Sequence, residues 1–155
     1  RPDLEFAYLR GNIHTRLSKI PDGGAIVMAV AALQILDMTD RITEMLSVDG
    51  FVPAIGQGCV AIECRLDDSA TIEALAAIDH APTRHDVEVE RAFLAELGSG
   101  CSLPVGGHVV DGVLHTFLAN LATGLSISDH VLLTGHAGYV ETARHAACSA
   151  HDALH

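Results

Sequence analysis

Residues Ala25-Ile26-Val27-Met28-Ala29-Val30-Ala31 form a run that is apolar at every position. A strand exposed on one face alternates apolar and polar residues. A run without alternation fits a strand covered on both faces, as in a parallel sheet flanked by helices. The residues ahead of it complete the expectation. Leu4 to Leu9 reads as a short strand, Arg10-Gly11-Asn12 as a turn with Asn12 as helix N-cap, and Ile13, Leu17 and Ile20 fall at helical spacing. Pro21-Asp22-Gly23-Gly24 breaks that helix. Strand, helix and buried strand in this order predict a βαβ unit. Thr39 predicts the cap of a further helix carrying Ile42, Met45 and Leu46.

The βαβ turn also has a chemical reading. Arg10, Gly11 and a helix starting at Asn12 bring a guanidinium to free N–H groups and the positive end of a helix dipole, with Arg16 one turn further on. Arginine forks match carboxylates. Two readings stay open on spacing alone: an anion site, or two solvated arginines on a surface helix. Charge bears on the choice. The chain has nine basic and 20 acidic residues, net −11, which excludes nucleic acid and anionic membrane surfaces as expected partners. Residues 1–41 hold five of the basic residues and only five of the acidic ones, so an anionic ligand is expected to be met there. No apolar run reaches membrane-spanning length, so no membrane partner is expected either. The chain opens on Arg1-Pro2-Asp3 just ahead of a strand pattern, as a piece of a longer polypeptide would.

Phe51 to Gly58 is a glycine-punctuated loop that lacks the Gly-Lys-Ser/Thr of a phosphate-binding loop. Cys59 to Cys64 reads as a strand. Leu66-Asp67-Asp68-Ser69 predicts the cap of a helix through about Ile78, and Thr83 with Asp86 resembles the capping box of the next. Val89, Ala92, Phe93 and Leu97 form that helix's apolar face, and Gly98 suits its C-terminal stop. A glycine-rich loop follows, Gly98-Ser99-Gly100-Cys101-Ser102-Leu103-Pro104-Val105-Gly106, with Cys101 held in its middle. A helix C-terminus disfavours a thiolate, so local sequence does not activate Cys101. Leu103–Val110 and Val113–Leu121 predict a hairpin across Asp111-Gly112, and Ser128–Thr134 a third strand. Tyr139 to the end predicts a helix with Val140, Ala143, Ala147, Ala150 and Leu154 on one face. Residues 66–155 thus read as a small α+β domain.

Cys59, Cys64, Cys101 and Cys148 form no CxxC pair, and reduced thiols in the cytoplasm are the default expectation. Cys148, His151 and His155 share one face of the last helix and could hold a metal, but that end frays and no fourth ligand is indicated, so no metal site is expected. His14, His80, His85, His108, His115, His130 and His136 read as solvated or core-edge residues.

Six stretches taken together resemble one family. They are Leu9-Arg10-Gly11-Asn12-Ile13 with Thr15 to Lys19, Ala25 to Ala29, Pro53 to Gly58, Ile62 to Arg65, Glu90 to Leu94, and Gly100 to Gly106. In order and spacing they are similar to porphobilinogen deaminase, also called hydroxymethylbilane synthase. The resemblance covers residues 1 to about 112 and the C-terminal half of that family. It implies a three-domain transferase of tetrapyrrole (haem) biosynthesis that joins four porphobilinogen units head to tail with loss of ammonia, as a cytoplasmic monomer when complete. It implies residues 1–65 as part of a periplasmic-binding-protein-like second domain with its returning strand, and residues 66–155 as the third domain. Cys101 matches the cysteine that carries a dipyrromethane cofactor by a thioether. Arg10 and Arg16 match arginines that hold acetate and propionate groups, and Gln57 lies in a stretch matching cofactor contacts. No catalytic residue is expected in these 155 residues, because the family's acid/base aspartate belongs to the part upstream. The alternatives are a truncated, inactive relative or binding module, and a small metal-binding protein using the C-terminal histidines and Cys148.

Overall fold

A computed structural model describes residues 3–98, 104–133 and 138–154. The chain divides into two compact units, residues 1–44 and 45–155.

In the first unit, Asn12 caps helix α1 (Ile13–Ser18), its side-chain oxygen accepting the Thr15 N–H at 2.9 Å. Pro21 to Gly24 closes a turn through a 2.9 Å bond from Gly24 N–H to the Pro21 carbonyl. The two expected strands are not formed. Residues 4–9 and 25–29 carry no regular structure, and Val30–Ile35 is helix α2. The βαβ expectation is corrected accordingly. A strand is held by its ladder, and among the described residues nothing pairs with either segment. Without a ladder, Ala31, Ala32 and Leu33 follow their own helical preference. The helix expected after Thr39 is only a 3₁₀ turn, Thr39–Arg41.

In the second unit, residues 59–64 likewise form no strand. Asp68 caps helix α3 (Ser69–Ala76) by accepting the Thr71 N–H at 3.1 Å. Helix α4 (Ala81–Glu96) begins earlier than the Thr83–Asp86 pairing predicts. His80 is its cap, with Nδ1 accepting the Thr83 N–H, and Pro82 sits in the first turn, where its missing donor costs nothing. One antiparallel sheet follows, β1 (Val105–Val110), β2 (Val113–Ala119) and β3 (Ser126–Leu132), in the order β1-β2-β3. Asp111 and Gly112 have φ of 50° and 75°, the left-handed pair a two-residue hairpin turn needs. The third strand starts two residues before its expected position.

Helix α5 (Tyr139–Ala153) closes the unit. Val89 and Phe93 of α4, Val109 and Leu114 of the sheet, Leu133, and Ala143 and Ala147 of α5 form its core. Fully burying a side chain such as Phe93 or Leu114 contributes about 1.5–3 kcal/mol. A second cluster joins Leu118, Ala150 and Leu154, with Leu97 and Val105 packed against it. Val140, expected on the buried face of α5, is exposed instead. No helix among the described residues is long and apolar enough to cross a membrane.

Candidate functional site

The arginine-flanked turn is built locally. Gly11 adopts φ +134°, and a Cβ there would lie 2.8 Å from Thr15 Cγ2, so the close turn into α1 requires glycine. Arg16 Nε donates to the Gly11 carbonyl at 2.8 Å, which folds its guanidinium back over the turn. Lys19 Nζ reaches the Arg10 carbonyl at 3.3 Å. Arg10 and Arg16 are both exposed, and among the described residues no carboxylate lies within ion-pair distance of either. Two cations and the capped start of a helix therefore sit on one short turn with their charge unneutralised. Such a turn can receive carboxylates.

The second unit defines the end of α4 and the start of β1 on either side of residues 99–103. Gly98 adopts φ +65° as α4 ends, and its N–H bonds the Ala95 carbonyl. Ala119 N–H donates to the Pro104 carbonyl at 3.0 Å where the chain re-enters the sheet. Leu97 and Val105, at the two stems, pack against the same two apolar clusters. Gly106 lies so close to the preceding segment that a Cβ would meet the Val52 carbonyl at 2.9 Å. Cys101 itself lies outside the described residues. Gln57 is exposed in a turn of the second unit, where its Oε1 accepts the Ala54 N–H at 3.1 Å. The described residues thus place Arg10 and Arg16 together in the first unit and Gln57 in the second.

Glu90 was not singled out by sequence for any structural role. It is buried, and its carboxylate accepts from Gly56 N–H at 2.6 Å and Val109 N–H at 2.9 Å, with His108 Nδ1 at 3.1 Å. Together with the bond from Gly107 N–H to the Pro53 carbonyl, Glu90 pins the 53–58 turn to the outer edge of β1. The signal available was one charge inside an otherwise apolar helical face.

The other three thiols lie in described segments. Cys59 is half-buried and Cys64 exposed, and both line a groove between residues 58–64 and helices α3 and α4. Cys148 lies 3.8 Å from Glu96 Oε1. Partial desolvation, then the Glu96 carboxylate, push its thiol pKa up, which disfavours the thiolate a metal would need. His155 lies outside the described residues.

These features define a protein with an exposed, arginine-flanked turn and a small α+β unit. Residues 1–73 match the family model described as "Porphobilinogen deaminase, dipyromethane cofactor binding domain", and residues 85–121 match "Porphobilinogen deaminase, C-terminal domain". A porphobilinogen deaminase of Trichlorobacter lovleyi is 45% identical over 126 residues, 79% of this chain and 40% of the relative. One of Desulforudis audaxviator is 46% identical over 127 residues, 78% of this chain and 41% of the relative. One of Nitratidesulfovibrio vulgaris is 49% identical over 112 residues, 71% of this chain and 36% of the relative. The chain belongs to the porphobilinogen deaminase family, and it spans about 40% of the length of the curated relatives it matches.

Proposed function

We propose that this chain is the C-terminal portion of a hydroxymethylbilane synthase, a transferase that joins four porphobilinogen units head to tail and releases one ammonia per condensation. The observation that carries the reading is the Arg10–Gly11–Asn12–Arg16 turn, whose two guanidinia have no carboxylate partner among the described residues. Porphobilinogen carries an acetate and a propionate, so each added ring brings two carboxylates. A chain of net charge −11 must concentrate cations where such a ligand lies.

The donor set fits a dipyrromethane, which presents four carboxylates to forked cations. Arg10 and Arg16 bind and orient those carboxylates, and Cys101 anchors the group as a thioether. When bound, the dipyrromethane supplies the nucleophilic pyrrole on which the chain is extended. Gln57 is proposed as a further contact, through the amide nitrogen left over once its Oε1 is bonded to Ala54 N–H. The acid/base carboxylate belongs to the portion of the family upstream of these residues.

In the same reading, residues 1–65 belong to a periplasmic-binding-protein-like second domain with its returning strand, and residues 66–155 to the third. Residues 4–9, 25–31 and 59–64 become strands once the rest of the polypeptide provides their neighbours. The complete enzyme is taken as a cytoplasmic monomer, where Cys59, Cys64 and Cys148 stay reduced.

The test uses the polypeptide carried to the full length of its relatives, with porphobilinogen consumption and intact mass as readouts. Active protein should carry a dipyrromethane adduct on Cys101, and Cys101→Ser should fold without it. Arg10→Leu and Arg16→Leu should each lower turnover by about 10- to 100-fold, as loss of one charged hydrogen-bond partner costs about 1.5–3 kcal/mol. The 155-residue chain alone should be inactive. An adduct that survives Cys101→Ser, or arginine variants with unchanged turnover and elongation, would overturn the assignment.

A further inference from the structure

The sheet brings together three side chains that the proposed function leaves unused. His115 of β2 and His130 of β3 are direct cross-strand partners, so both project from the same face, opposite the Leu114 and Val131 side chains that pack into the core. Their rings meet edge to face with centroids 4.7 Å apart. Asp49 comes to them from a separate turn. Phe51 N–H and Gly50 N–H both bond the Ser47 carbonyl, which closes that turn. Ser47 Oγ donates to Asp49 Oδ2 at 3.2 Å and leaves Oδ1 for the histidines.

Asp49 Oδ1 lies 3.3 Å from His115 Nδ1 and 3.8 Å from His130 Nε2. One donor atom from each of the three residues falls within 4.8 Å of the others. His115 is 8% exposed, and no hydrogen bond reaches its buried Nδ1. The Asp49 carboxylate lies 3.3 Å from it without forming a hydrogen bond. A buried, unpartnered ring nitrogen is costly, and structures rarely keep one without a use.

We propose that Asp49, His115 and His130 form a binding site for a zinc-class divalent transition metal. Zinc bonds of about 2.0–2.1 Å at tetrahedral angles place ligand atoms about 3.4 Å apart, close to the two Asp49 distances. Two imidazoles and one carboxylate suit this class of ion. Asp49 and His130 are solvent-exposed, which leaves the fourth position to water. The Ser47 hydroxyl orients the carboxylate from behind, as outer hydrogen bonds do at zinc sites. The bound ion would tie the 47–51 turn to β2 and β3 within the second unit.

The test takes the whole 155-residue chain, stripped with a chelator and titrated with Zn(II) and separately with Co(II). The expected result is one equivalent bound, with Co(II) d–d bands and no thiolate charge-transfer absorption. Asp49→Asn and His130→Ala alter exposed side chains and should keep the wild-type circular dichroism while weakening binding at least about 100-fold. Ser47→Ala should weaken it about 10-fold. Zinc should raise the melting temperature of the wild type and leave that of Asp49→Asn unchanged. Failure of the wild type to bind stoichiometric metal, a thiolate signature on cobalt, or unchanged binding in both Asp49→Asn and His130→Ala would each overturn the site.

Discussion

Replacing Glu90 by alanine removes the most heavily used buried acceptor among the described residues. The side chain is 3% exposed, and its two oxygens serve Gly56 N–H, Val109 N–H and His108 Nδ1. Hydrogen bonds to a charged group contribute about 1.5–3 kcal/mol each, but the three losses do not add, because water enters the space and the 53–58 turn relaxes. Removing one partner from a buried charged network typically costs about 3–5 kcal/mol, and that is the range expected for Glu90→Ala. Glu90→Gln keeps one acceptor oxygen and turns an NH₂ toward a donor, which costs about 1–3 kcal/mol.

Urea titration of the chain followed by far-UV circular dichroism measures the loss. With a slope of about 1–3 kcal/mol/M, Glu90→Ala should lower the midpoint of the second unit by at least about 1 M. Amide exchange supplies a local readout. The Gly56 and Val109 amides should lose protection in Glu90→Ala, while those of α5, which has no bond to Glu90, should change only by the global loss. A Glu90→Ala chain within about 0.5 kcal/mol of wild type, with Gly56 still protected, would refute the view that this carboxylate pins the turn to the β1 edge.

Three further outcomes are expected. Gly11→Ala should cost of order 1–3 kcal/mol, because it forces φ +134° on a residue whose Cβ meets Thr15 Cγ2; faster amide exchange at Thr15 and Arg16 checks it. Phe93→Ala should destabilise the second unit by about 3–5 kcal/mol, read as a lowered urea midpoint, since this fully buried ring fills the core between α4, the sheet and α5. The bonds from Thr71 N–H and Thr71 Oγ1 lower the Asp68 pKa below its ordinary 3.8, so its contribution is present above about pH 4 and lost as pH falls through the folded value. Asp68→Asn keeps the cap without the titration, so acid should unfold the wild type relative to this variant; parallel acid-unfolding curves would count against that.

What the sequence disclosed was local. Asn12, Asp68 and Asp111-Gly112 act within three or four residues of themselves, and each does in the structure what its side chain or φ preference implies. The apolar spacings of α4 and α5 likewise report their buried faces, with Val140 the exception. Errors appear where two local signals compete or a distant partner decides. Thr83 and His80 can both cap a helix, and only the chain direction into α4 selects His80. Glu90 reads as one more charge on a helix until β1 is brought beside it. Asp49, His115 and His130 meet only through the turn and the sheet register. Of the candidate site, the Arg10–Arg16 turn was legible because it is built within seven residues, whereas Gln57 sits in the other unit and Cys101 lies outside the described residues.

The segments read as strands follow the same logic from the other side. Val27 is 67% exposed, Val60 85% and Ile62 57%, in stretches whose composition suits burial. Each such side chain forgoes about 1.5–3 kcal/mol that burial would return. Their N–H and C=O groups also lack the ladder that a β-rich composition is adapted to supply. Sequence pattern and exposure conflict at these positions and agree in the α4–sheet–α5 core, where Phe93 and Leu114 are fully enclosed. At Val27, Val60 and Ile62 the conflict falls in segments whose strand partners are not among the described residues. The chain spans about 40% of the length of the relatives it matches. That contrast supports the proposed reading, in which residues 4–9, 25–31 and 59–64 pair with strands outside the described residues.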